Sequence, residues 1–268
     1  MFIFPAKVHM SDKLRVSLIQ ADLHWEDRKA NLDHFNDLLA PISSGATDLI
    51  VLPEMFTTGF SMNAAALAEP VDGPTLHWMQ QQAQSKRAAV TGSFISGKDG
   101  AFFNRLVFVR PDGEYVQYDK KHLFTLAGEH KAYQPGTDLP RVDWCGWIIR
   151  PLICYDLRFP VWSRNTDEYD LLLYVANWPD TRRNAWISLL AARAIENQAY
   201  CIGVNRVGTD AKGHYYSGDS SLYDYSGRLL TQLTDQETIV TLALDKSKQQ
   251  AFRQKLDFLA DRDAFTLH

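Results

Sequence analysis

The chain has 268 residues, 46% hydrophobic and 22% charged, enough for one large buried core near the upper size of a single domain. A formal net charge of −4 supplies no basic footprint for nucleic acid or an anionic membrane surface, so neither is expected as a partner. The three cysteines, Cys145, Cys154 and Cys201, include no C-x-x-C pair, which speaks against a disulfide framework or zinc ribbon and for the reducing cytoplasm.

The opening "MFIFPAKVHM" has only four apolar residues before Pro5 and Lys7, too few for a signal-peptide core. Residues 1–12 read as an N-terminal extension, with Met10 an alternative start, and 13–268 as a single domain. "LRVSLIQ" (14–20) predicts a strand, and Leu32, Phe35, Leu38 and Leu39 give residues 26–40 a helical spacing. "DLIVLPE" (48–54) reads as a buried strand, and 74–87 as a helix with Pro74 in its first turn. Next come strands in "AAVTGSFIS", "FFNRLVFVR" and "YVQYD", the last two separated by the turn "PDGE". A strand at 151–155, another in "DLLLYVANW" and a helix from about 184 to 197 follow. "YCIGVNRV" and "TIVTLALD" are strands, and a helix near 246–259 ends the chain. Strands that alternate with helices predict an α/β sandwich with helices on its outer faces.

Three of these strands are apolar almost throughout, as strands covered on both faces are. Each stops at a polar group: Glu54 after "LIVLP", Cys154 after "PLI", Asn177 after "LLLYVA". In α/β folds ligand sites gather outside the carboxyl ends of strands. Taken singly, Cys154 is either buried packing or a nucleophile, Glu54 either a solvated carboxylate or a base. The "YDKKHLF" segment (118–124) is either an exposed edge or the source of a functional lysine. Together they are chemically complementary, because a thiol scarcely ionised at neutral pH needs a base or a neighbouring cation. No two histidines stand at metal-ligand spacing and no phosphate loop or dinucleotide fingerprint is present, so neither a metal nor a cofactor is expected.

"LPEMF" (52–56), "YDKKHLF" and "CYDLRFP" (154–160), in that order, resemble the three signature segments of the nitrilase, or carbon–nitrogen hydrolase, superfamily. "NWP" (177–179), "ARAIENQAY" (192–200) and "GVNRVG" (203–208) are also similar, most of all to its bacterial ω-amidase branch. The resemblance implies a four-layer α-β-β-α sandwich and a homodimer or larger oligomer. It also implies hydrolysis of the ω-amide of a small dicarboxylic 2-oxo acid through a cysteine thioester. Residue by residue, Glu54 matches the general base, Lys120 the catalytic lysine and Cys154 the nucleophile. Glu129 resembles a supporting second glutamate, and the Tyr155 N–H an oxyanion donor. The pattern makes His122 structural, bonded to nearby backbone. Arg182 and Arg183 are either a solvated helix approach or ligands for a substrate carboxylate, for which Lys121 is a further candidate. Phe60 and Trp178 are either core residues or pocket walls. The runner-up activity is N-carbamoyl-amine hydrolysis, and a non-catalytic binding protein on the same scaffold is the alternative of a different class.

Overall fold

The computed structural model describes residues 12–267; the expected extension therefore lies outside the described residues except for Asp12. The chain begins with β1 (Lys13–Gln20), α1 (Arg28–Leu39), β2 (Leu49–Val51), α2 (Ala64–Leu67) and α3 (Pro74–Lys86). It continues through β3 (Ala89–Lys98), β4 (Ala101–Val109), β5 (Tyr115–Asp119), α4 (Glu129–Ala132) and β6 (Val142–Trp144). Then come β7 (Trp147–Ile153), α5 (Pro160–Ser163), β8 (Leu171–Ala176), α6 (Arg183–Asn197) and β9 (Tyr200–Asn205). Strands β10 (Val207–Thr209), β11 (Tyr215–Tyr223), β12 (Leu229–Thr234) and β13 (Thr238–Asp245) lead to α7 (Lys246–Lys255).

The strands form two sheets. One has the order β13-β1-β2-β3-β4-β5, the other β10-β11-β9-β8-β7-β6 with β12 paired to β11. β1, β2 and β3 run parallel, as do β7, β8 and β9. Alternation along β2 explains its unbroken apolar sequence. Leu49 and Val51 enter the core shared with Leu152, Ile153 and Leu173 of the second sheet. Ile50, between them, faces Phe35 of α1 and Met79 of α3. On the far side α6 lies so close to β9 that a side chain at Gly203 would collide with Trp186 and Leu190. The layers run helix, sheet, sheet, helix, as the resemblance implies.

Three expectations need adjustment. The 48–54 strand shrinks to Leu49–Val51, because Pro53 has no N–H to extend a ladder. The strand before Cys154 begins earlier, at Trp147, and ends at Ile153, so Cys154 starts a 3₁₀ turn (Cys154–Arg158). "YCIGVNRV" is split at Arg206, a fully buried arginine whose guanidinium bonds Asp22 and two backbone carbonyls at the end of the sandwich.

Candidate active site

The two sheets present their strand ends at one edge, and three polar side chains converge there. Glu54 lies three residues beyond β2, Lys120 directly follows β5, and Cys154 directly follows β7. β5 is antiparallel to β4, itself antiparallel to β3, so its carboxyl end emerges on the same edge as that of β2. Backbone conformation sharpens both turns. Met55 (φ 43°) and Cys154 (φ 42°) adopt the left-handed region that costs a non-glycine residue free energy. At Met55 that conformation is held by its N–H, which donates to Ser93 Oγ at 2.8 Å. At Cys154 the chain reverses from strand into 3₁₀ turn, and the thiol is pushed out at the tip.

Lys120 is completely buried and donates to Glu54 Oε1 (2.9 Å) and to both oxygens of Glu129 (3.0 and 2.9 Å). Burial alone would lower its pKa, but the charges of Glu129 and Glu54 more than offset this and the net shift is upward. It is a fixed ammonium. Burial raises the Glu129 carboxyl, against the pull of Lys120. Burial also raises the Cys154 thiol well above its ordinary value; the Glu54 charge adds to this, and Lys120 opposes it. The resting thiol is therefore protonated, with Sγ 4.0 Å from the Asn177 carbonyl.

The two Glu54 oxygens have different surroundings. Oε1 accepts from Lys120 and from Asn104 Nδ2 at 2.8 Å, whereas Oε2 accepts from the Asn177 N–H at 2.8 Å. The Asn177 side chain also donates to the Glu54 carbonyl at 2.5 Å. A second stitch between the sheets is Asp156. Its carboxylate accepts from Tyr118 Oη (2.7 Å), the His122 N–H (3.0 Å) and the Ile153 N–H (3.0 Å), and bonds His122 Nδ1 (2.8 Å). It fixes the Lys120 segment against the Cys154 turn. His122 is structural as expected, but its ring is held by a carboxylate and by stacking on Phe159 at 3.6 Å rather than by backbone.

Above Cys154 and Lys120 lies a cavity of about 220 Å³, small beside drug-sized pockets of roughly 300–1,000 Å³. Phe60, Tyr155, Trp178 and Arg182 line it, together with Arg158 and Tyr216, which sequence reasoning did not single out. Phe60 lies under Lys120, its ring centre 5.2 Å from Nζ. Arg182 covers Phe124 and Arg158 covers Trp178 at 4.9 and 4.8 Å, and neither has a carboxylate partner among the described residues. Arg183 is not on this wall. It is paired with Asp219 through two bonds of 2.7 and 2.8 Å and does not line the cavity. Lys121 also points elsewhere, onto Trp162 at 5.3 Å. Missed too were Asn104, which stands beside Arg105 in "FFNRLVFV", and Asp210, whose carboxylate caps the β10–β11 turn and accepts from Tyr216 Oη at 3.0 Å. Among the described residues no group of His, Cys, Asp and Glu is placed to hold a metal ion.

The carbon–nitrogen hydrolase family model matches residues 15–254. The chain belongs to that family. An ω-amidase YafV of Yersinia enterocolitica is 48% identical over 256 residues, covering 95% of this chain and 98% of its own. A 2-oxoglutaramate amidase of Bacillus subtilis is 30% identical over 254 residues, 93% of this chain and 97% of its own. A crystal structure of a Xanthomonas campestris protein of the CN-hydrolase superfamily, with an arsenic adduct in its active site, superposes with a TM-score of 0.94. It is 42% identical and covers 96% of this chain and 99% of its own. In this carbon–nitrogen hydrolase no helix among the described residues is long and apolar enough to cross a membrane.

Proposed function

We propose that the enzyme hydrolyses the ω-amide of a short dicarboxylic 2-oxo acid to the free acid and ammonia, with Cys154 as nucleophile. The observation that carries this reading is a buried Glu54–Lys120–Glu129 cluster beside Cys154, under a small cavity whose rim holds two guanidiniums without a carboxylate partner among the described residues. The relatives named above supply the substrate class.

Glu54 acts as general base through Oε2, the oxygen that carries one backbone bond and faces the second sheet. As it takes the thiol proton, Sγ attacks the amide carbon and the carbonyl π pair moves onto oxygen. The Tyr155 N–H, at the start of the 3₁₀ turn, and Lys120 stabilise that oxyanion. Lys120 can do so without leaving the cluster, since its two bonds to Glu129 can share one N–H and release another. Glu129 thus holds the ammonium in place rather than exchanging protons with substrate. Protonated Glu54 gives its proton to the leaving nitrogen, ammonia departs, and the carboxylate then activates water to cleave the thioester. Arg182 and Arg158 take the distal carboxylate and Phe60 and Trp178 flank the carbon chain, a reading supported by their position on the cavity wall. Arg183 has no part in this.

Three free cysteines support a cytoplasmic setting. We further read residues 13–268 as one domain and the working form as a homodimer or larger, which sedimentation would measure. The activity is tested by ammonia release from 2-oxoglutaramate, a neutral amide of equal length, a matched nitrile and an N-carbamoyl amine. A charged hydrogen bond left unmade costs about 1.5–3 kcal/mol, so the neutral amide should have a kcat/KM roughly ten- to a hundredfold lower. Equal turnover of both amides would remove the carboxylate clamp, and preference for the nitrile or carbamoyl compound would remove the substrate assignment.

A further inference from the structure

Asn104 lies in β4, opposite Ile95 of β3, with its side chain wholly buried at the catalytic edge. Its Nδ2 donates to Glu54 Oε1 at 2.8 Å and to Glu129 Oε1 at 3.2 Å, and its backbone carbonyl accepts from the Lys120 N–H at 3.0 Å. One residue therefore touches all three members of the charged cluster. The orientation of its amide follows from chemistry, because both neighbours are carboxylate oxygens and only the NH₂ end can face them.

We infer that Asn104 is a positioning residue that pins Glu54 Oε1 beside Lys120 and thereby turns Oε2 toward the thiol. The inference rests on the roles given above to Glu54 and Cys154. Two carboxylates share one ammonium in this cluster. A second cation at position 104 would clamp Glu54 as a carboxylate too weak to take a thiol proton. An apolar residue would leave Oε1 held by Lys120 alone, with the Asn177 N–H on Oε2 the one other bond to orient the carboxylate among the described residues. A neutral amide supplies a directional donor without adding charge, so Oε1 is pinned between Lys120 and Asn104 while Oε2 keeps a lone pair for Cys154. The charged and titratable groups facing Glu54 are Lys120 at the end of β5, Glu129 of α4, Cys154 at the end of β7 and, farther off, Tyr133. Asn104 is the neutral member of that ring.

A hydrogen bond donated to a carboxylate favours its charged form, and the Asn104 donor acts in that sense on the oxygen it shares with Lys120. The test is the pH dependence of iodoacetamide alkylation at Cys154, which requires no substrate, in the wild type, Asn104→Leu and Asn104→Ser. Leucine keeps the approximate volume and removes the donor, while serine is smaller and restores a hydroxyl donor. The acid limb of the alkylation rate should move to higher pH in Asn104→Leu and return part of the way in Asn104→Ser. Turnover on any accepted amide should show the same order. A limb that stays in place in both folded variants, with only its amplitude lowered, would overturn the inference. So would failure of both variants to fold, since Asn104 would then serve stability alone. Neither result would touch the substrate assignment, which the amide panel decides.

Discussion

Cys154 and Cys201 belong to the same sheet, two strands apart, and both thiols are buried and pushed up by desolvation. Cys201 sits inside β9, paired with Leu172 and Tyr223 in a regular ladder, and is completely inaccessible. Cys154 stands one residue past the end of β7, 8% exposed, in a left-handed conformation at the floor of a cavity. Burial does not separate them. What separates them is a carboxylate and an ammonium fixed beside one thiol, and a packed ladder around the other.

The comparison breaks most sharply if the wrong cysteine carries activity. Cys154→Ser should reduce ammonia release to background, while Cys201→Ala should keep wild-type turnover and lose about 1 kcal/mol of stability from the small cavity. Alkylation of the native protein, mapped by mass spectrometry, should label Cys154 first; prior labelling of Cys201 with activity intact would reverse the assignment.

The charged neighbours can be tested through adjacent lysines. Lys120→Ala removes the proposed oxyanion stabiliser and should cost about 10²–10³ in kcat. It also leaves two buried carboxylates without their cation, a stability loss of about 3–5 kcal/mol by urea unfolding. Lys121→Ala gives up a cation–π contact with Trp162 worth about 0.5–1 kcal/mol and should turn over at nearly the wild-type rate.

A further effect concerns what the two thiols share. Each is held protonated when folded, whereas in the unfolded chain a thiol ionises near pH 8.5. The unfolded state therefore binds fewer protons above that pH. The contribution is fully present below about 8.5 and fades as pH rises, by about 1.4 kcal/mol per unit for each thiol. Urea unfolding between pH 8 and 10 should show the decline, and Cys201→Ala should make it shallower.

The catalytic edge was legible because continuous apolar runs ending in Glu54, Cys154 and Asn177 announce strands covered on both faces that stop at one rim. The lysine was legible only through the pattern around it, since "KK" itself does not say which neighbour turns inward. The pairing of Arg183 was not legible because its partner, Asp219, is 36 residues away and no local spacing links them. Asn104 and Asp156 escaped for a related reason. Each acts by bonds to residues distant in sequence, 50 positions for Asn104 to Glu54 within one sheet and 34 for Asp156 to His122 between the two, and such side-chain pairing has no periodicity. Arg158 was quoted within its segment and passed over because a 3₁₀ turn, unlike a strand or helix, does not fix a direction from sequence alone.

The stitches from Asn177 to Glu54 and from Asp156 to Tyr118 and His122 make the gap between the sheets a measuring device. Glu54 and Lys120 arrive from one sheet and Cys154 from the other, so neither sheet alone possesses the reactive array. A slip of one residue along a strand moves its tip by about 3.3 Å. That exceeds the full 2.8 Å length of the bond between the Asn177 N–H and Glu54. A state with every strand formed but one sheet out of step with the other would look native by far-ultraviolet dichroism and would be chemically silent. Turnover in this molecule is thus a gauge of alignment, finer than any measure of how much sheet has formed.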